Sequence, residues 1–329
     1  MEIGWTGDAE LVHAVGRVFR STGAAAAVAV ITPQGGLTAT VGADHHSTFE
    51  IGSISKALTG MLYRDATERS LVSQTTILRD LLPLEGHGKV GSVRLSSLSI
   101  HRSGLPGLPP GMHALRRTVD FWFRGQNPYG DSLADLLEQT RNVRVGSARP
   151  RYSNLGFQLL GHAVAQGAAT SYERLLHEVL GEGFSTPIRA DDLGPMDLTG
   201  FSRFGRPLPA WVGEGLAPAG GVRATIGTMR GFLSSILDGS ARGLSALEPV
   251  SKYSSRVGIG AGWITLEFQG RAITWHNGST GGFSSWIGLD RDAGVGVVVL
   301  AAMHGSVDRQ GFRLLTEFAA SRRSAIVSR

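Results

Sequence analysis

The sequence predicts an α+β fold: an antiparallel β-sheet built from both termini and flanked by helices, plus an all-helical insertion. Three observations carry this expectation. A helical period followed by two strand-like runs opens the chain. Four strand-like runs and a closing helix end it. The stretch between reads as helices and loops. The 329 residues are 42% hydrophobic and 18% charged, so the chain can bury a real core. We read 1–329 as a single unit, with 1–75 and 251–329 as an α/β subdomain and 76–250 as a mostly helical one.

Residues 8–22 place Leu11, Val12, Val15, Val18 and Phe19 at helical spacing. Residues 24–31 read as a strand, Pro33-Gln34-Gly35-Gly36 as a turn and residues 37–41 as the returning strand. After the loop 42–47, an extended apolar run meets a helix over 57–64. Residues 75–83 suggest a helix end, and 93–100 are apolar and periodic. The Gly- and Pro-rich stretch from His101 to Pro110 is a loop. Helices follow over 131–142, capped by Ser132 or Asp131, then over 157–166, 172–180 and 228–237. Residues 259–268, 271–276, 284–290 and 295–302 are strand-like, and 307–321 closes the chain as a helix.

Composition removes several functions. There is no cysteine, hence no disulfide, thiolate nucleophile or thiolate metal site. The apolar runs 24–31 and 295–303 are far too short to span a bilayer, so no membrane role is expected. Met1 to Asp8 lacks a basic segment followed by an apolar core, which leads us to expect a cytoplasmic protein. The formal net charge is +5, but the arginines are scattered, as at Arg116-Arg117, Arg141, Arg144, Arg149, Arg151 and Arg322-Arg323. They lack interleaved aromatics, so no nucleic-acid partner is expected. Asp44-His45-His46 reads as a surface loop rather than a metal site. Gly86-His87-Gly88-Lys89-Val90-Gly91 matches a dinucleotide fingerprint only in letters, because neither strand nor βαβ context surrounds it. No cofactor and no metal are implied.

The chemistry concentrates at Phe49-Glu50-Ile51-Gly52-Ser53-Ile54-Ser55-Lys56. One helical turn brings positions i and i+3 to one face, so Ser53 and Lys56 can touch. A lysine can take a serine's proton if burial lowers its pKa. Only Lys56, Lys89 and Lys252 among the 32 basic residues are lysine, and arginine cannot deprotonate near neutral pH. The bland alternative is a capping serine with an exposed lysine one turn on. Tyr152 and Asn154 form a Y-x-N: a phenol able to shuttle a proton if nearby cations depress its pKa, and an amide that can hold a substrate. The alternative is a loop tyrosine and an asparagine capping the next helix. His276-Asn277-Gly278 ends a strand and leads into Ser279 and a Gly-rich turn. The glycine lets a substrate approach the strand edge, and the histidine can bond a substrate carboxylate or carbonyl. The alternative is a plain hairpin.

The three patterns occur once each, in the order S-x-x-K, Y-x-N, H-x-G. With His101-Arg102-Ser103-Gly104-Leu105-Pro106, Pro218-Ala219-Gly220-Gly221-Val222-Arg223-Ala224-Thr225 and Trp275 to Ser285, the sequence resembles the serine β-lactamase and penicillin-binding-protein superfamily. It looks nearest to the class C branch, with its carboxypeptidases, esterases and D-aminopeptidases. The resemblance spans nearly the whole chain and implies the β-lactamase/transpeptidase-like fold. It implies Ser53 as acylated nucleophile, Lys56 as the group that takes or tunes its proton, and Tyr152 as partner in proton transfer and deacylation. It implies Asn154, His276, Gly278 and Ser279 as substrate-binding positions, with the N–H groups of Ser53 and Ser279 as oxyanion hole. The implied activity is a serine hydrolase acting on an ester, amide, peptide or β-lactam, through a small-molecule or peptide acyl substrate. An acyltransferase using the same acyl-enzyme, or a silent ligand-binding member, are the alternatives. The oligomeric state stays open. One departure matters: class C enzymes usually carry lysine first in the third motif, where this chain has His276. A neutral imidazole holds a carboxylate less strongly than an ammonium does, which argues against efficient penicillin turnover.

Overall fold

The computed structural model describes residues 4–19, 23–109 and 127–327, with side chains up to residue 321. Thr22, Pro110, Arg116-Arg117, the first three residues and the Arg322-Arg323 side chains lie outside the described residues. The fold is a mixed α/β arrangement around a nine-stranded antiparallel sheet. In spatial order its strands are Thr6–Gly7, Gly35–Val41, Ala26–Thr32, Val295–Ala301, Ser284–Asp290, Arg271–Ser279, Ile264–Phe268, Val257–Ile259 and Ser251–Ser254. Both ends of the chain therefore supply the sheet, with Ala26–Thr32 and Val295–Ala301 paired at its centre.

These two central strands read as continuous apolar runs because both of their faces are covered. Ala27 and Ala29 point into one core with Leu58, Leu62, Leu159 and Leu233. Ala26, Val28 and Val30 point into the other with Leu11, Val15, Leu314 and Phe318. The second layer is made by helices Ala9–Val18 and Asp308–Val327. The first contains helices Ile54–Glu68, Asn154–Gly167, Tyr172–Leu180 and Ile226–Leu237.

Several boundaries differ from the sequence expectation. The expected strand over 259–268 is broken at Gly260 to Trp263, because Gly262 turns with φ +72° directly against the helix that starts at Ile54. A Cβ there would lie 2.2 Å from the Lys56 carbonyl oxygen. Residues 75–83 hold only a short 3-10 turn, Leu78–Asp80. The expected helix over 131–142 is Leu133–Gln139 plus a 3-10 turn, Thr140–Asn142, and Ser132 caps it. Its middle stretch also contains short strands: Arg223–Thr225 lies between Thr48–Glu50 and Phe184–Ser185. Two- and three-residue strands carry no periodicity, so the sequence pattern did not reveal them. The Asp44 loop closes on itself, its carboxylate accepting from the N–H groups of His46 and Ser47.

The small sheet sets the approach to Ser53. Arg223 is fully buried, with Nη1 3.1 Å from Glu50 and Nε 2.9 Å from Asp197. Its Nη2 donates to the carbonyls of Leu198 and Thr48. Burial pushes the Glu50 carboxyl up, while Arg223 opposes that shift. Each nitrogen of this guanidinium thus reaches an acceptor, and the strand Thr48–Glu50 is fixed just before the nucleophile loop.

Replacing Arg223→Met would leave Glu50 buried without its counter-charge. Removing one partner of such a pair costs about 3–5 kcal/mol, so urea unfolding is expected to show a loss of that size. A loss below about 1 kcal/mol would mean that the network does not hold the loop.

Candidate active site

Ser53 stands at the corner where the short strand becomes the helix Ile54–Glu68. Its backbone is already helical, at φ −65° and ψ −7°, and its side chain makes no capping bond. The capping alternative is therefore not what the residue does. Gly52 makes the corner possible: it has φ +51°, and a Cβ there would lie 2.8 Å from the Ser279 nitrogen. The corner and the strand Arg271–Ser279 are pressed together, which brings Ser53 beside Ser279.

Lys56 lies one turn on, with Nζ 3.0 Å from Ser53 Oγ. It is fully buried, not exposed. Its amine donates to the Ala219 carbonyl at 2.5 Å. Burial alone lowers its pKa from 10.5 to about 7. The amine is therefore part free base at neutral pH, the form that can accept a proton from Ser53.

Tyr152 places its ring 4.9 Å from the Lys56 amine. The residue is 47% exposed, yet its hydroxyl end is enclosed. That desolvation pushes the phenol up to about 12, partly opposed by Ser53. The sequence reading allowed a phenol depressed by neighbouring cations, and the structure reverses that direction. The cation sits over the ring face and is itself half neutralised by burial. Tyr152 is thus a neutral phenol, able to donate and pass on a hydrogen bond.

Asn154 begins the helix Asn154–Gly167, but Ser153 caps it by accepting from the Gly156 N–H at 2.9 Å. The asparagine amide is spared that task. Its Oδ1 is buried without a hydrogen-bond partner among the described residues, an acceptor left for something else. His276, Gly278 and Ser279 lie on one strand, which runs on past residue 276 to Ser279. The pairing with Ile264–Phe268 ends at Trp275, so among the described residues the stretch from His276 to Ser279 is paired on one side, with residues 284–287. A Cβ on Gly278 would meet the Ile51 carbonyl oxygen at 2.1 Å, which is why the strand needs glycine there. The His276 imidazole is buried, and its pKa is lowered to about 4 by desolvation and then by Lys56.

Sequence spacing missed three contributors. His101, at φ +57°, packs its ring against Tyr152, tilted by 32° with centroids 4.6 Å apart, and accepts the Ser153 N–H at Nδ1. Burial, Lys56 and His276 hold it neutral. Tyr129 and Tyr253 lie near enough to Tyr152 to influence its phenol. These residues come from distant parts of the chain, His101 and Tyr129 from loops and Tyr253 from the short strand Ser251–Ser254, and neither helical nor strand period links them. A histidine opening a Gly- and Pro-rich loop was the one local signal.

The sequence model of the beta-lactamase family matches residues 12–319. In fold, the chain is similar to a class C beta-lactamase from Rhodobacter sphaeroides, with TM-score 0.75 and 19% identity over 96% of this chain and 98% of that one. A second class C beta-lactamase matches with TM-score 0.72 and 18% identity, over 87% and 88% of the two chains. An octameric penicillin-binding protein homologue from Pyrococcus abyssi matches with TM-score 0.71 and 19% identity, over 85% of this chain and 69% of that one. Comparison with curated protein sequences finds no match.

The Lys56 shift has a consequence for stability. Between pH about 7 and 10.5 the unfolded chain holds a proton on Lys56 that the folded chain has released. Stability therefore rises with pH across that window and carries the full penalty below it. At about 1.36 kcal/mol per pKa unit, Lys56→Met is expected to stabilise the protein at pH 6 by on the order of 4 kcal/mol and to remove the rise. Chemical denaturation at pH 6 and 10 measures both. An unchanged slope in the variant would place the lysine in water.

Proposed function

The chain belongs to the beta-lactamase family, and on that premise we propose that it is a serine hydrolase that forms an acyl ester on Ser53. The observation that carries this reading is the buried Lys56 amine 3.0 Å from Ser53 Oγ, with no carboxylate beside it among the described residues. An acylating serine needs a proton acceptor, a donor for the leaving group and a place for the oxyanion.

In this reading neutral Lys56 takes the hydroxyl proton as Oγ attacks the substrate carbonyl carbon. The oxyanion forms beside the N–H groups of Ser53 and Ser279, at the N-terminus of the helix Ile54–Glu68, where the helix dipole favours negative charge. The Lys56 ammonium then returns the proton to the leaving group, with the Tyr152 hydroxyl as relay. In a second cycle water attacks the acyl ester and loses its proton to Lys56, which passes it to Ser53 Oγ as the C–O bond breaks, so that the acid leaves and both Ser53 and the free amine are restored. Asn154 supplies the buried acceptor Oδ1 toward the substrate amide.

The substrate class we propose is an ester, amide or peptide rather than a penicillin. The support is His276: a buried imidazole with a pKa near 4 carries no charge at neutral pH and gives a β-lactam carboxylate no cation to meet.

Intact mass after treatment with a fluorophosphonate or a p-nitrophenyl ester is expected to show one adduct, absent in Ser53→Ala. Full hydrolysis by Ser53→Ala would sink the mechanism. For the wild type, kcat/KM is expected to rise with pH through about 7, as Lys56 loses its proton. A profile flat from pH 5 to 9 would remove Lys56 as base. Nitrocefin turnover is expected to be slow, and rapid turnover would show that the His276 position does not restrict β-lactams.

A further inference from the structure

Tyr152 is half exposed and lies just before the helix Asn154–Gly167, not within it. Neither burial nor helical geometry confines its side chain. A ring free to rotate has conformational entropy to lose before it can pass a proton in one direction. His101 meets that need from a separate loop. Its imidazole packs against the Tyr152 ring and against that of Phe157, with centroids 4.6 and 4.7 Å away. Phe157 is fully buried, so the core backs the imidazole. The His101 carbonyl accepts the Arg151 N–H at 2.9 Å, and its Nδ1 accepts the Ser153 N–H at 3.2 Å. Burial keeps this imidazole neutral, so Nδ1 retains the lone pair that the second bond requires. One residue therefore grips the chain before Tyr152, the chain after it and the ring itself. That requires carbonyl and side chain to face the same segment, and His101 adopts φ +57°, a region uncommon for residues other than glycine.

We infer that His101 is a positioning residue for Tyr152: it holds the phenol beside Ser53, on the proton path to the leaving group. It acts through the tyrosine, and the inference rests on the acyl-serine reading. The neighbouring residues have further ties to the same loop. Ser153 Oγ donates to the Pro106 carbonyl at 2.6 Å, and the Asn154 N–H donates to the Gly107 carbonyl at 3.0 Å. Replacing His101 thus leaves the segment attached and releases the ring.

The test is His101→Asn. Asparagine tolerates the left-handed backbone, and its Oδ1 is bonded to Cγ as Nδ1 is, so the acceptor for Ser153 is kept and the ring is removed. Hydrolysis is compared for the ethyl and p-nitrophenyl esters of one acid. Ethoxide needs a proton to leave, whereas p-nitrophenolate leaves without one. In His101→Asn, kcat/KM for the ethyl ester is expected to fall about 10- to 100-fold, and that for the p-nitrophenyl ester by less than about threefold. Tyr152→Phe should show the same contrast, and adding His101→Asn to it should change the ratio no further. Equal losses for the two esters in His101→Asn, or a further drop in the double variant, overturns the inference. A second readout does not depend on turnover. Labelling with 3-fluorotyrosine gives one ¹⁹F signal for each of the five tyrosines, and Tyr152→Phe assigns the signal of Tyr152. In His101→Asn this signal is expected to narrow and move toward that of the free amino acid; an unchanged signal overturns the inference. Fluorophosphonate labelling of Ser53 separates the two levels. Labelling with an unchanged Tyr152 signal removes only the role of His101, whereas no labelling of the wild type removes the acyl-serine reading and this inference with it.

Discussion

The site depends on one buried cation that has no counter-ion among the described residues. Lys56 has no solvent exposure, and the partners its amine meets are a serine hydroxyl and a backbone carbonyl. Taking an ammonium out of water without an opposing charge costs several kcal/mol, and the amine responds by losing its proton. That response is the useful outcome. A carboxylate beside Lys56 would hold the proton on and disable it as a base. The requirement also explains the residue type: an arginine at this position stays charged. In a chain with three lysines, the one beside Ser53 is the one whose proton has to leave.

The second buried cation nearby is treated in the opposite way. Arg223 is equally enclosed, yet Glu50, Asp197 and two carbonyls surround it. Its charge is kept and spent on geometry, tying Thr48–Glu50 to Arg223–Thr225. The Ile51 N–H donates to the Val222 carbonyl, continuing that attachment to the residue before Gly52. From there Gly52 turns the chain and Gly278 lets the strand Arg271–Ser279 come close. A rigid paired arginine and an unpaired lysine thus divide the work. One places Ser53, and the other sets the proton chemistry next to it. The histidines His101 and His276 extend the uncharged surroundings, each held neutral by burial and by Lys56 itself.

Much of the fold was legible because its strongest signals are periodic. The central strands read as apolar runs, and Tyr172–Leu180 and most of Ile226–Leu237 announce themselves by apolar spacing, while the Thr225 cap that starts the second two residues earlier than expected shows only in the structure. The short strands Thr48–Glu50 and Phe184–Ser185 were not legible, since two or three residues hold no period. The break at Gly262 depends on contact with the Lys56 backbone, which lies over 200 positions away in the chain, roughly, and leaves no local mark. In the site, spacing paired Ser53 with Lys56 and ordered the three motifs. It could not give the direction of the Tyr152 shift, which depends on which part of the ring the lysine meets. It could not place His101 beneath Tyr152, nor show that Ser153 relieves Asn154 of capping. Those facts belong to three-dimensional packing.

The central claim is that the amine beside Ser53 is a free base near neutral pH. Lysine labelled with ¹³C at Cε would give three signals, from Lys56, Lys89 and Lys252, so assignment needs only the Lys56→Met protein. Titration by NMR is predicted to show one signal with a midpoint near 7 that is missing from the variant. Three signals that all titrate near the ordinary lysine value, about 10.4, would contradict the account.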